Sequence, residues 1–443
     1  MRSREKGASR EEATAPGNAD FNAPEAAEPL SALFVSPGWP ASACANGVTT
    51  ALATLLPALR RLGHSAFVLA TSVRQGSGEA AEEGLYDLRR EGATGIRGLV
   101  NRIRSRFDPL GATAVQLSQS VLHVAGRLAA KPGSHILEME EAFGWPRRVR
   151  PRCPMPLVVR LHGPWFLNGP NNGADPASPE FARRVREEGR AIAAADGVTA
   201  PTRDVLERTR SHYRLPLEAA EVIPHPMPAT SPERRWRAER CEPELILFVG
   251  RFDRHKGGDT IVDAFARVVM DRPAARLLFA GPDRGLERDG RRWTLREYVE
   301  HRLPGASNDG RVRWLGQRPH DELNALRQQA AVTVVASRYE TFGITITEAL
   351  AVGCPVVATR AGGAGEIFEH GIHGLYCPPD DPLALAASIG ALLANPGHAA
   401  ALGRRGAEYV AERYAPESAA VQTIDFYRRV LARWASRRAR ARG

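Results

Sequence analysis

The chain has 443 residues, a formal net charge of +10 and a hydrophobic fraction of 43%, which suits a folded protein of two domains of about 150–200 residues each. No apolar run approaches the ~18 residues of a membrane-spanning helix, and the start, Met1 to Glu12, lacks the apolar core of a secretory signal, so a cytoplasmic location is expected. The five cysteines, Cys44, Cys153, Cys241, Cys354 and Cys377, are odd in number, far apart and without a C-x-x-C pair, which argues against a disulfide framework and a zinc site.

Residues 1–28 are rich in Ala, Glu, Gly, Pro and Asn without periodicity, and are expected to be disordered because they bury too little apolar surface to offset ordering entropy. A first strand begins at Leu30 and stops at a Ser36-Pro37-Gly38 turn. Val48, Leu52, Leu55, Leu56 and Leu59 then recur at helical spacing until Gly63, and Ala66 to Ala70 read as a second strand. This is one βαβ unit, with Ala45-Asn46-Gly47 as the loop of its first turn.

Apolar residues at Ile96, Leu99, Val100 and Ile103, and again from Val115 to Val124, suggest helices. Strands return at Ser134–Glu138 and Pro156–Leu161. The second ends in His162-Gly163, while Glu138, Glu140 and Glu141 close the first at the same edge as weaker candidates for a site. A helix over about 179–195, a short strand to Thr202 and a further helix lead to Glu221-Val222-Ile223-Pro224-His225. Prolines from 224 to 243 mark a linker.

Glu244 to Gly250 is a buried strand, followed by Arg251 to Gly258 and a helix over 259–270. Strands at 275–280 and 311–315 end in Gly281 and in Gly316-Gln317-Arg318. The run Val332–Val335, a polar turn, Ile344–Leu350 and Pro355–Val357 read as strand, glycine turn, helix and strand. Glu340 and Glu348 lie eight residues apart across that turn, with Gly343 where the helix begins. The strand's carboxyl end delivers side chains to a crevice, and a helix N-terminus there points free N–H groups at an anion.

The pattern E-x-F-G-x-x-x-x-E, as Glu340, Phe342, Gly343 and Glu348, resembles the signature of the retaining GT-B glycosyltransferases of group 1, the family four nucleotide-sugar enzymes. Their G-R-x-x-x-x-K-G is matched by Gly250, Arg251, Lys256 and Gly257. The likeness covers residues 30 to 430 in the right order. It implies an α/β, GT-B fold of two Rossmann-like domains facing across a cleft: an acceptor domain over 29–225, a linker over 226–243, a donor domain over 244–415, and a crossover helix with a basic tail over 416–443.

The resemblance further implies a retaining transfer of a sugar from a nucleoside diphosphate of UDP or GDP type to an unidentified acceptor, with no cofactor beyond that co-substrate. By the same likeness Arg251 and Lys256 stabilise the departing diphosphate, Glu340 takes sugar hydroxyls and His162 lies beside the sugar. Gly47, Phe342, Gly343 and Ile344 serve the donor, Glu348 its ribose, and Gln317 and Arg318 its base edge. Asn46 stands where the family usually has another glycine, and His225 where it commonly has asparagine, so no role is carried to His225. No metal is implied, since no D-x-D occurs.

Alternatives remain open at this point. An epimerase or phosphorolytic enzyme would share the architecture, and a non-catalytic binding protein would rely on its arginine-rich end, Arg428 to Arg442. That end is a solvated tail in the plainer reading, or a helix lying on anionic lipid at the membrane face. Nucleic acid is not an expected partner of the enzyme.

Overall fold

The computed structural model describes residues 28–44, 46–74, 84–91 and 109–441. Aliphatic runs build a first sheet from β1 (Leu30–Ser36), β2 (Ser65–Ala70), β3 (Leu85–Asp87), β4 (Ser134–Glu140), β5 (Leu157–Arg160), β6 (Gly197–Ala200) and β7 (Ala220–Val222). They are all parallel, in the order β3-β2-β1-β4-β5-β6-β7. The central strands β1, β4 and β5 are buried almost throughout. Crossover helices on both faces account for this, and it is why these strands read as apolar runs rather than as alternating patterns.

The second half repeats the plan with β8 (Glu242–Val249), β9 (Arg276–Ala280), a separate hairpin of β10 (Leu286–Arg288) and β11 (Arg291–Trp293), then β12 (Val312–Gly316), β13 (Ala330–Val335), β14 (Val356–Thr359) and β15 (Leu375–Cys377). Its parallel order is β12-β9-β8-β13-β14-β15. In each sheet the direction of winding reverses once, between β1 and β4 and between β8 and β13. Crevices for ligands open outside the carboxyl ends of strands at such points. This is the pair of Rossmann-like sheets that the sequence motifs imply.

The two carboxyl edges face each other. Thr202, just after β6, donates its hydroxyl to the Thr341 carbonyl oxygen at 2.8 Å. The helix Arg203–Tyr213 receives help from the other half: its first N–H groups, on Arg203 and Asp204, donate to the Glu366 carboxylate at 2.9 and 2.6 Å. A carboxylate there also meets the positive end of the helix dipole.

The last helix, Pro416–Arg440, crosses back to the first sheet and buries Phe426, Tyr427 and Val430 among Leu52, Leu56 and Phe34. A Cβ on Gly197 would fall 2.6 Å from Val430. Arg437 pairs with the buried Asp196 at 2.7 Å, and Arg429 pairs with Glu221. The apolar stripe is therefore spent on the protein's own core. Among the described residues no single helix is long and apolar enough to cross a membrane.

Residues 1–27, the apolar positions from Ile96 to Ile103, and Arg442 lie outside the described residues. The second helix suggested for that region is Pro109–Ala129. The strand expected from Glu244 begins two residues earlier, at Glu242.

Candidate active site

The loop after β8 carries the cations. Gly257 sits at φ +67, and a Cβ on it would lie 2.0 Å from the Ala336 carbonyl oxygen, so only glycine allows the loop to press on the end of β13. That contact sets Lys256 opposite Glu340. Its ammonium donates to Glu340 Oε1 at 2.5 Å, and the Ser337 hydroxyl donates to the same oxygen at 2.6 Å. Burial alone would raise the Glu340 carboxyl, but Lys256 and His255 outweigh it and hold the group below the usual carboxylate range.

Arg251 donates through Nε to Asp253 at 2.5 Å and through Nη2 to Asn172 at 3.2 Å. Asn172 follows the helix Trp165–Asn171 of the first half, so this arginine spans the cleft. Asp253 also accepts the Lys256 backbone N–H at 2.8 Å.

Two helix N-termini converge beside these cations. Gly343, at φ +106, opens the helix Ile344–Val352, and Gly47 opens Gly47–Arg61. A Cβ on Gly47 would stand 3.0 Å from Ile344 Cδ1, which places the two helix starts against each other. Asn46 is the N-cap of the first helix, its side chain accepting from Val48 N–H at 2.8 Å. The residue that departs from the glycine pattern thus gains a capping role that glycine cannot fill. Free N–H groups, two dipoles and two cations make a strong anion site.

Glu348, on the same helix, is turned to other partners. Arg327 donates to its Oε2 at 2.6 Å and His320 Nδ1 lies 3.3 Å from Oε1. Arg327 is wholly buried. Burial pushes Glu348 up, while Arg327 and His320 more than reverse this and hold it low. The hydrogen bond to Glu348 in turn raises His320. A cavity of about 610 Å³ opens here, lined by Glu348, His320, Asn324, Met227 and Thr230. Gln317 and Arg318 are exposed after β12, and Arg318 turns onto its own chain, donating to Leu315 O at 2.9 Å.

The first-half edge works by different means. His162 follows β5, and the Glu141 carboxylate accepts its backbone N–H at 3.0 Å and that of Gly163 at 2.8 Å. Glu188 accepts from Phe143 N–H, Trp165 N–H and Arg184 at 3.2, 2.7 and 2.9 Å. Two buried acids therefore tie the loops after β4 and β5 together. Burial and the neighbouring Glu188 push Glu141 up, to about 8. Burial likewise lifts Glu140, to about 7. Glu138 is taken up elsewhere, paired with Arg160 at 2.8 Å and accepting the Tyr427 hydroxyl at 2.7 Å. It is 4% exposed and so is withdrawn from any acceptor.

Phe342 is 2% exposed and packs in the core, so its role is support rather than contact. Its ring meets the edge of His225 at 5.0 Å and 77°, and His225 stacks on His162 at 5.1 Å and 11°. Sequence reasoning missed His225, Arg327, Glu188 and Asn172. Each acts on a partner 21 to 79 positions away in the chain, a distance at which spacing carries no signal.

Comparison with known proteins agrees with this geometry. The family described as Glycosyltransferase Family 4 matches residues 45–230, and that described as Glycosyl transferases group 1 matches residues 231–409. A D-inositol 3-phosphate glycosyltransferase of Xylanimonas cellulosilytica is 30% identical over 290 residues, 62% of this chain and 67% of that protein. A glycogen synthase of Mycobacterium tuberculosis is 32% identical over 197 residues, 44% of this chain and 45% of its own length. The chain thus spans about half the length of several curated relatives it matches. Among solved structures, a sucrose-phosphate synthase from Thermosynechococcus elongatus is 23% identical with a TM-score of 0.64, covering 91% of this chain and 99% of that one. Anabaena HepE in complex with UDP and glucose is 18% identical, with a TM-score of 0.62 and 89% and 98% covered. At these identities the structural likeness shows the fold.

Proposed function

Because the chain belongs to the group 1 glycosyltransferases, we propose that it transfers a sugar from a nucleoside diphosphate to an acceptor held mainly by the 30–222 half. The observation that carries this is the meeting of Lys256, Arg251 and two helix N-termini across one cleft. HepE, of the same fold, was solved with UDP and glucose, which favours a UDP-type donor here.

In this reading the diphosphate lies against Arg251, Lys256 and the N–H groups at Gly47, Gly343 and Ile344. As the bond to the anomeric carbon breaks, charge grows on the leaving oxygen and these fixed donors stabilise it without reorganising. The Lys256–Glu340 pair holds both groups in place beforehand. Glu340 takes sugar hydroxyls and Glu348 takes those of the ribose once the His320 contact yields. His162, neutral because burial holds it well below its ordinary value, lies beside the sugar as a hydrogen-bonding group. The acceptor hydroxyl approaches from the same face that the diphosphate leaves and passes its proton to a diphosphate oxygen, giving retention. The charge the diphosphate needs is supplied by the chain's own cations.

The test is thermal unfolding with UDP, GDP, ADP and dTDP. A ligand at 100 times its dissociation constant adds about 2.7 kcal/mol, and the Lys256→Ala variant should lose the shift. Folded protein that shifts with none of the four would sink the reading.

A further inference from the structure

His225 has no role in the scheme above, yet its place is unusual. It follows β7 and Ile223-Pro224 and is only 5% exposed. One face stacks on His162 and its edge meets Phe342. Phe342 is followed directly by Gly343 and the helix start assigned to the diphosphate, so His225 lies one ring contact from that helix start.

The ring nitrogens of His162 and His225 make no hydrogen bond to any described residue. Nor are they among the buried polar atoms sealed off without a partner. What stays accessible of these rings therefore includes their nitrogens. Rings this far buried whose nitrogens are accessible and bonded to no described residue are free to pair with a ligand.

The charged surroundings fix what kind of ligand. Arg160 on β5 is a cation that acts on both rings, and it is itself paired with Glu138. The Glu141 carboxylate is occupied by the backbone N–H groups of His162 and Gly163. Phe342 and Tyr414 complete the wall with rings. Burial, with Arg160 added, holds His225 down at about 3, and burial, His225 and Arg160 hold His162 far below its usual value. Both rings are then uncharged at neutral pH, each with one donor and one acceptor nitrogen. A hydroxyl both donates and accepts and suits such a ring. A phosphate calls for cations, which stand at Arg251 and Lys256.

We propose that His225 contacts the transferred sugar directly, as one imidazole of a stacked pair with His162 that reads the sugar's hydroxyls and thereby sets which nucleotide sugar is accepted. This rests on the nucleotide-sugar reading above. The stack holds both rings near one plane direction, and Phe342 packs crosswise to His225, so in this proposal hydroxyl positions are discriminated by angle as well as by distance. Asparagine at this position would offer an NH2 donor group and a carbonyl acceptor on a shorter side chain, and so would read a different arrangement of hydroxyls.

The experiment is calorimetric binding to the full chain and to its His225→Phe and His225→Asn variants. The ligands are the bare nucleoside diphosphates and their glucose, galactose, mannose and N-acetylglucosamine forms, with thermal unfolding of each variant beside them. Phenylalanine keeps the flat ring and removes the nitrogens. It should bind the bare diphosphate as the natural chain does and the preferred nucleotide sugar about tenfold more weakly, a factor worth 1.4 kcal/mol. Asparagine should recover part of that loss or change the preferred sugar. Equal weakening of bare and sugar-bearing nucleotides would make His225 a merely structural residue, and unchanged binding of both would overturn the proposal. If phenylalanine prevents folding, the sugar preference of the asparagine variant decides, an unchanged preference and affinity counting against. A natural chain that binds no nucleotide at all would instead bring down the transferase reading, and this proposal with it.

Discussion

The two sheet edges that meet in the cleft are built on opposite principles. At the six-stranded edge, cations are held by carboxylates: Lys256 by Glu340, Arg251 by Asp253 and Arg327 by Glu348. At the seven-stranded edge, carboxylates hold backbone: Glu141 takes the N–H groups of His162 and Gly163, and Glu188 those of Phe143 and Trp165. In the reaction we propose, the six-stranded edge stores charge for an anionic leaving group. The other fixes the shape of loops that present neutral rings. A reaction that separates charge on one side and must recognise hydroxyls on the other needs both kinds of surface.

That contrast can be broken by experiment. The largest expected effect is on the charged side: Arg327→Ala leaves Glu348 without its buried partner, and loss of one member of a buried pair costs about 3–5 kcal/mol, read by denaturant unfolding. A loss under about 1 kcal/mol would show that the pair is not buried in solution as it is here. Next, Lys256→Ala should lower turnover by on the order of 10²–10³ and, by leaving Glu340 without its cation, should also cost some stability. Near-normal turnover in that variant would remove the ammonium from the chemistry.

On the other edge, Glu141→Ala strands two backbone N–H groups and should cost about 1–3 kcal/mol of stability. Affinity for the bare nucleoside diphosphate should stay close to that of the natural chain. A selective loss of diphosphate affinity would mean that the two edges are not separate in function. The smallest effect is a pH dependence. His320 has its folded pKa raised by Glu348, so its contribution is fully present below the unfolded value of about 6.5 and fades as pH rises through the folded value. With His320 half exposed, the difference in stability between natural chain and His320→Gln should be a few tenths of a kcal/mol larger at pH 5.5 than at pH 8.5. An equal difference at both would show that the contact does not persist in solution.

The contrast also explains what could be read in advance. Gly250, Arg251, Lys256 and Gly257 fall within eight residues, and Glu340 to Glu348 within nine. A loop that must approach Ala336 demands glycine, and the helix start proposed to take the diphosphate follows a glycine at positive φ, so local chemistry leaves a local trace. Glu188 was not legible, because it lies in the middle of a charged amphipathic helix and differs from its neighbours only in facing inward. Arg327 is similar: nothing in His320–Gln329 marks its arginine as one that will be fully buried. His225 was passed over as a departure from a pattern, and its meaning came only from the ring it lies on. β3 and the β10–β11 hairpin went unread, because their three-residue strands leave no periodicity to register.

By itself the sequence determined the alternation of buried strands and amphipathic helices, the glycines at strand ends and the cations beside them, because each of these is dictated within one or two turns of chain. Tertiary structure alone decided the partners. It set Gly47 against Ile344, Arg251 against Asn172, and Thr202 against Thr341, and it spent the apolar stripe of the basic C-terminal helix on the first sheet. Whether a carboxylate becomes a charge partner, a loop brace or a core residue depends on what burial places beside it. Glu138 and Glu141 at the end of β4 and Glu340 in the turn after β13 are the same side chain, and only their neighbours tell them apart.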